Sequence, residues 1–153
     1  MPTAYVGDVD SALVNFLMSD NGPGGLMKLM PDGIFFDVAA SSATQYVLIK
    51  VQASENERVF GGVGIERPLY LVKAVARNTS GASTHDAAAR IDLLLNGDRG
   101  QGGSFPGPTG FARCASSRVE YIRYAEIDTE DPDARWQHRG GLYDVHASPL
   151  RST

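Results

Sequence analysis

The sequence predicts one α+β domain, built from a mainly antiparallel sheet of four or five strands with two helices packed on one face. Three observations predict it. An amphipathic helical stretch at 83–97 follows directly on a strand-like segment at 68–77. Two further strand-like segments, 113–128 and 135–148, come after that helix. The length of 153 residues, 42% of them hydrophobic, suits a single core. Residues 1–153 read as one domain with no internal repeat or linker, interrupted by a flexible glycine-rich loop at 97–110.

The elements follow in order. Asp10 or Ser11 can cap a short helix carrying Leu13, Val14, Phe16, Leu17 and Met18. The run Asn21-Gly22-Pro23-Gly24-Gly25 ends it, because Pro23 lacks the amide that a continuing helix would use. Leu26 to Met30 suits one more short turn, and Ile34, Phe36 and Val38 then alternate as on one strand face. In QYVLIKVQA, Val47, Ile49 and Val51 share one face and Tyr46, Leu48 and Lys50 the other, so both faces are apolar at the centre and the strand is expected to be internal. Residues 54–64 read as a hairpin tip or mobile loop leading into PLYLVKAVAR, the expected partner strand. There Leu69, Leu71 and Val75 oppose Tyr70, Val72, Ala74 and Ala76.

Ser83 and Asp86 stand at the spacing of a capping box. Ala87, Ala88, Ile91, Leu94 and Leu95 form one helical stripe, which Asn96-Gly97 stops. In 97–110, six of fourteen residues are glycine and two are proline, a composition that argues against a core strand. The segment reads as a long hairpin loop or as one ordered by a partner. In 113–128, Val119, Tyr121, Ala125 and Ile127 are in phase, with Ile122 and Tyr124 opposite. An acidic turn at 129–133 leads to the return strand.

Composition narrows the function classes. A formal charge of −4 gives no overall basic balance for collecting nucleic-acid phosphates. No apolar run approaches the roughly 20 residues needed to span a bilayer, and no signal-peptide pattern opens the chain. The expectation is a soluble protein made in a cytoplasm. Cys114 is the only cysteine, so an intramolecular disulfide and a multi-cysteine metal site are excluded, and it reads as a structural thiol.

Motifs for chemistry are weak throughout. The glycine-rich loop lacks a P-loop ending, and GGVG at 61–64 lacks dinucleotide-fingerprint spacing. His85, His138 and His146 are too scattered for a two-histidine metal motif. The acidic turn lacks the glycine and closing glutamate of an EF-hand loop. Cys114, Ser116 and Ser117 sit in no GxSxG elbow. Trp136, Tyr143, Tyr121 and Tyr124 concentrate aromatics in the last two strands, either packing on the helices or contributing to a subunit contact. Arg135, His138 and Arg139 can pair with the adjacent acidic turn or with a neighbouring subunit. These residues imply no enzyme activity, no cofactor and no metal.

Taken in order, the N-terminal helix, the glycine turn into IFFDV, the strands QYVLIKV and YLVKAVA, the helix HDAAARIDLLLNG and the closing RVEYIRYAEID and RWQHRGGLYDVHA resemble the tail terminator, or tail-completion, proteins of long-tailed bacteriophages. The resemblance covers residues 9–147. It implies a structural virion protein at the head–tail junction, assembled in the host cytoplasm. Its copies would form a ring, a hexamer in that family, on the head-proximal end of the tail tube, stopping tube polymerisation and presenting a surface for head–tail joining. The implied partners are other copies of the chain, the tail tube protein and a head–tail connector or neck protein. DNA would pass through the lumen without specific binding, and no membrane is involved. On this reading Glu55, Glu57, Arg58, Val59, Phe60, Arg99 and Phe105 are candidate inter-ring contacts, and Arg135, Trp136 and Arg139 candidate subunit contacts. The alternatives are a head-closure or neck connector protein, or a small-molecule-binding α+β domain with a pocket around His146, Asp144 and Tyr124.

Overall fold

The computed structural model describes residues 6–59, 62–77 and 82–148. Helix α1 (Val6–Met18) precedes the one-turn helix α2 (Leu26–Leu29), strand β1 (Ile34–Phe36) and the long hairpin strands β2 (Gln45–Val59) and β3 (Gly62–Arg77). Helix α3 (Ala82–Asn96) follows, then a 3-10 turn at Asp98–Gly100, strand β4 (Gly103–Phe105), β5 (Cys114–Ile127) and β6 (Arg135–His146). The result is an α+β domain with six strands and three helices among the described residues, rather than the four or five strands and two helices expected.

The sheet order is β1-β2-β3-β6-β5-β4. Every neighbouring pair is antiparallel except β1 with β2. The expected β2–β3 partnership holds, with Ile49 opposite Val72 and Val47 opposite Ala74. One sheet face carries Val47, Ile49, Tyr70, Val72, Ala74, Tyr143 and Val145 into a core shared with Val9, Leu13 and Leu17 of α1, Leu26 of α2 and Ala87, Ile91 and Leu95 of α3. The α1 side chains fall at four-residue intervals, which places them on one stripe. Each large aliphatic side chain so buried contributes roughly 1.5–3 kcal/mol of transfer free energy.

Several expectations shift. Helix α1 begins before Asp10, which therefore sits inside the helix and accepts a hydrogen bond from the Tyr70 hydroxyl instead of capping the N-terminus. Met18 faces solvent. Strand β1 stops at Phe36 because Asp37 turns to φ 67°, leaving Val38 78% exposed. Asp20 accepts both Arg90 Nε and Nη2 of α3 at 2.7 Å and the Leu26 amide at 2.7 Å, so one carboxylate joins the ends of α1 and α2 to α3.

The glycine-rich segment departs most from expectation. It contributes β4, which pairs with β5 through Phe105 opposite Cys114, and Phe105 is fully buried with its ring stacked 5.4 Å from Phe16. Glycine is what allows this strand to approach α3: a β-carbon at Gly103 would lie 2.7 Å from the Leu94 carbonyl oxygen. Asn96 finishes the junction, its carbonyl accepting the Gly102 amide at 2.7 Å and its side chain accepting the Arg118 amide at 3.0 Å.

Candidate assembly surface

The sheet leaves two backbone edges open. Strand β1 covers β2 only at Val47, Leu48 and Ile49, and β4 covers β5 only at Cys114, Ala115 and Ser116. Among the described residues, no strand pairs with the outer side of residues 50–59 in β2 or of residues 117–127 in β5. The second edge is also apolar in places: Val119 is 61% and Ile127 62% exposed, and Tyr121 and Tyr124 are exposed as well. A long open edge with apolar side chains is a site for adding a strand from another chain. The in-phase residues Val119, Tyr121, Ala125 and Ile127 of this strand therefore largely face solvent, and a bulge lies between Arg118 and Glu120.

The β2–β3 ladder is longer than the sequence suggested. It runs on through Glu55 opposite Arg67, Glu57 opposite Ile65, Arg58 opposite Val63 and Val59 opposite Gly62. The pairing of β3 with β6 stops at Leu69 opposite Asp144, so this outer part projects as a two-stranded ribbon beyond the rest of the sheet. Four of the candidate inter-ring residues, Glu55, Glu57, Arg58 and Val59, lie on it; Phe60 lies outside the described residues. Arg99 is exposed in the turn after α3, with a left-handed φ of 60°. Phe105 is a core residue of its own chain and offers no exposed surface for an inter-ring contact.

The candidate subunit contacts separate onto different sites. Arg135 donates to the carbonyl oxygens of Pro132 at 2.7 Å and Ala134 at 3.0 Å, bracing the acidic turn beside it. Trp136 donates to Asp128 at 3.1 Å and leans on Tyr46, while Arg77 Nε also donates to Asp128, at 2.8 Å. Arg77 and the Glu130 amide hold the Asp128 carboxyl down to about 2. Arg139 lies on the helix-bearing face, with Nη1 2.8 Å from His85 Nδ1 at the start of α3.

The face away from the helices holds a polar and aromatic cluster that the sequence did not reveal. His138 is buried, stacked on Tyr124 at 4.3 Å, and Lys73 Nζ donates to the Tyr124 hydroxyl at 2.6 Å. Glu126 Oε2 lies 3.4 Å from His138 Nε2 without the alignment of a hydrogen bond. Burial, followed by the Lys73 charge, pushes the His138 pKa below the usual imidazole value. Gly140 makes room here, since a β-carbon on it would meet the Val72 carbonyl oxygen at 2.1 Å.

The aromatics likewise divide. Tyr143 packs in the core with its hydroxyl donating to Asp92 of α3 at 2.9 Å, whereas Tyr121 and Tyr124 are exposed. Cys114 is buried, and that burial raises its thiol to about 11, which fits a structural thiol.

The trio suggested for a small-molecule pocket does not converge. His146 Nε2 is 3.1 Å from Asp144, but Tyr124 pairs across β6 with His138, about 20 Å from Asp144 at the usual strand rise. Two open depressions flank this end of the sheet. One, of about 570 Å³, is lined by Gly102, Ser104, Ser117 and His146 among others, and one of about 240 Å³ by Ala53, Arg67, Leu69, Val119 and Asp144. Among the described residues no group of three or more His, Cys, Asp and Glu side chains is arranged to hold a metal ion, and no helix is long and apolar enough to cross a membrane.

No family model and no curated protein matches this chain. Solved structures with the same fold do exist. A chain described as belonging to the "Virion of native gene transfer agent (GTA) particle" is similar with a TM-score of 0.59 and 16% identity, over 96% of this chain and 99% of that one. A second solved chain, whose description states no role, is similar with a TM-score of 0.55 and 14% identity, over 99% of this chain and all of that one. At such identities the likeness establishes a shared fold over the whole length of the chain.

Proposed function

We propose that this chain is a structural subunit of a phage-type particle, and that it acts as a tail terminator. Copies assemble into a ring on the head-proximal end of the tail tube, end its growth and present the surface that joins the head connector. The observation that carries this reading is the end-to-end fold likeness to a chain of a virion particle, with almost nothing left over on either side. The order of sequence elements that resembles the tail terminator proteins supports it, as do the two open sheet edges.

The mechanism is geometric and needs no reaction. A subunit that matches the last tube ring on one face but does not repeat the tube's own surface on the other closes an otherwise open-ended assembly. Heterologous contacts between copies generate the ring when the rotation closes. The projecting ribbon of β2 and β3 and the turn bearing Arg99 then supply contacts between rings, and the lumen passes DNA without specific binding.

A neck connector is the second reading, because the description of the similar virion chain names the particle and no position within it. The two readings differ in which ring the protein binds. Purified protein mixed with growing tail tubes separates them: a terminator caps tube ends and shortens the tubes, and a neck protein leaves tube length unchanged.

A further inference from the structure

The open edge of β5 is the least self-sufficient part of the sheet. Residues 117–127 lack a strand on one side, and Val119, Tyr121, Tyr124 and Ile127 put apolar surface beside the unpaired backbone. No proline lies in the stretch. The charges it carries, Arg118, Glu120, Arg123 and Glu126, are of both signs and so set up no single-sign repulsion against an approaching strand.

A second element of the same chain has the complementary deficiency. Beyond Leu69 the β2–β3 hairpin is a two-stranded ribbon, and such a ribbon is marginal in water until a third strand joins it. The outer side of β2 is open over residues 50–59, a stretch of nearly the same length as the open part of β5.

Direction also matches. Between β2 and β5 lie three antiparallel steps, so the two strands run oppositely in one molecule. A rotation about an axis to which the strands are tilted by well under a right angle preserves that relation, and it sets the β2 edge of one copy antiparallel to the β5 edge of the next. Lys50 is level with Glu120, through Leu71 and Leu142, so full overlap requires neighbouring copies to be staggered along the strands. Tilted strands in a closed wall supply such a stagger.

We propose that residues 117–127 of β5 are a strand-addition site for a second copy of this chain, occupied by the outer edge of that copy's β2, residues 50–59. The contact is heterologous, leaves each copy with one donor edge and one acceptor edge, and so continues the sheet from subunit to subunit. It rests on the ring reading above and names the seam by which the ring closes. Isologous pairing of β5 with β5 would instead satisfy two copies and stop.

The test combines native mass spectrometry with amide hydrogen exchange on the full chain across a dilution series. The proposal expects residues 117–127 and 50–59 to gain protection together as the oligomer forms. It also expects V119K/I127K to weaken self-association by about tenfold or more, the equivalent of about 1.4 kcal/mol. Both side chains are exposed, so the thermal melt of the substituted monomer should match the unsubstituted one. Protection at 117–127 alone would indicate β5–β5 pairing and overturn the proposal. An oligomer with neither segment protected would also overturn it while leaving the ring reading intact. A chain that stays monomeric both alone and on tube ends would overturn both.

Discussion

Gly97 ends α3 with φ 76° and ψ 171°, and a β-carbon there would stand 2.2 Å from the Gly102 carbonyl oxygen. Gly97→Ala therefore combines backbone strain of about 1–3 kcal/mol with a clash against backbone, and chemical denaturation should show at least that loss. Phe105→Ala should cost about 3–5 kcal/mol in the same measurement, because the ring is fully buried against Phe16; a loss below 1 kcal/mol, roughly the surface-substitution range, would return Phe105 to the contact surface. Asp128 and His138 are two of the groups that shape the acid limb of stability. Asp128, held down by Arg77, contributes stability that is fully present above the ordinary aspartate value of about 3.9 and lost as pH falls through about 2. His138, pushed below its ordinary value by burial and by Lys73, is favoured neutral in the folded chain, so stability should begin to fall as pH drops below about 6.5. Melts from pH 8 down to pH 5 should show that slope in the unsubstituted chain and a flatter one in His138→Gln; equal slopes would remove His138 as the cause.

At the scale of elements, apolar periodicity was a good guide wherever a segment packs on its own chain. It located the stripe of Ala87, Ala88, Ile91 and Leu95 on α3 and the phase of Val47 and Ile49 against Tyr70, Val72 and Ala74, all of which are buried. It failed where hydrogen bonds rather than burial hold the chain. Ser54 to Arg58 is polar and reads as a hairpin tip or mobile loop; it does lie in the β2–β3 hairpin, but as a continuation of the ladder. Glycine and proline in 97–110 hide β4, whose three residues gain their place from Phe105 and from close approach to α3. The sequence identified β5 and its return partner β6, but only the strand order shows that Val119, Tyr121 and Ile127 border an open edge. Of the candidate contacts, those on the outer β2 lie together on one ribbon, while Arg135, Trp136 and Arg139 brace local turns, faces and helix ends. Val59→Ser with Phe60→Ser should impair attachment to tubes more than folding. Co-sedimentation with tail tubes beside a thermal melt checks this, and equal loss of both would assign these residues to the fold.

For the whole molecule, one sheet face is covered by three helices and the other by side chains of the sheet itself, around Lys73, Tyr124 and His138. Such a body has a finished core and unfinished edges, which is the division expected of a subunit that folds alone and completes its sheet by assembly. The most direct measurement is native mass spectrometry of the purified chain, alone and with tail tube protein, followed by imaging of tube length. The account predicts a ring, formed in solution or on tube ends, and tubes that stop growing where it sits. A persistent monomer with no effect on tube growth would contradict it.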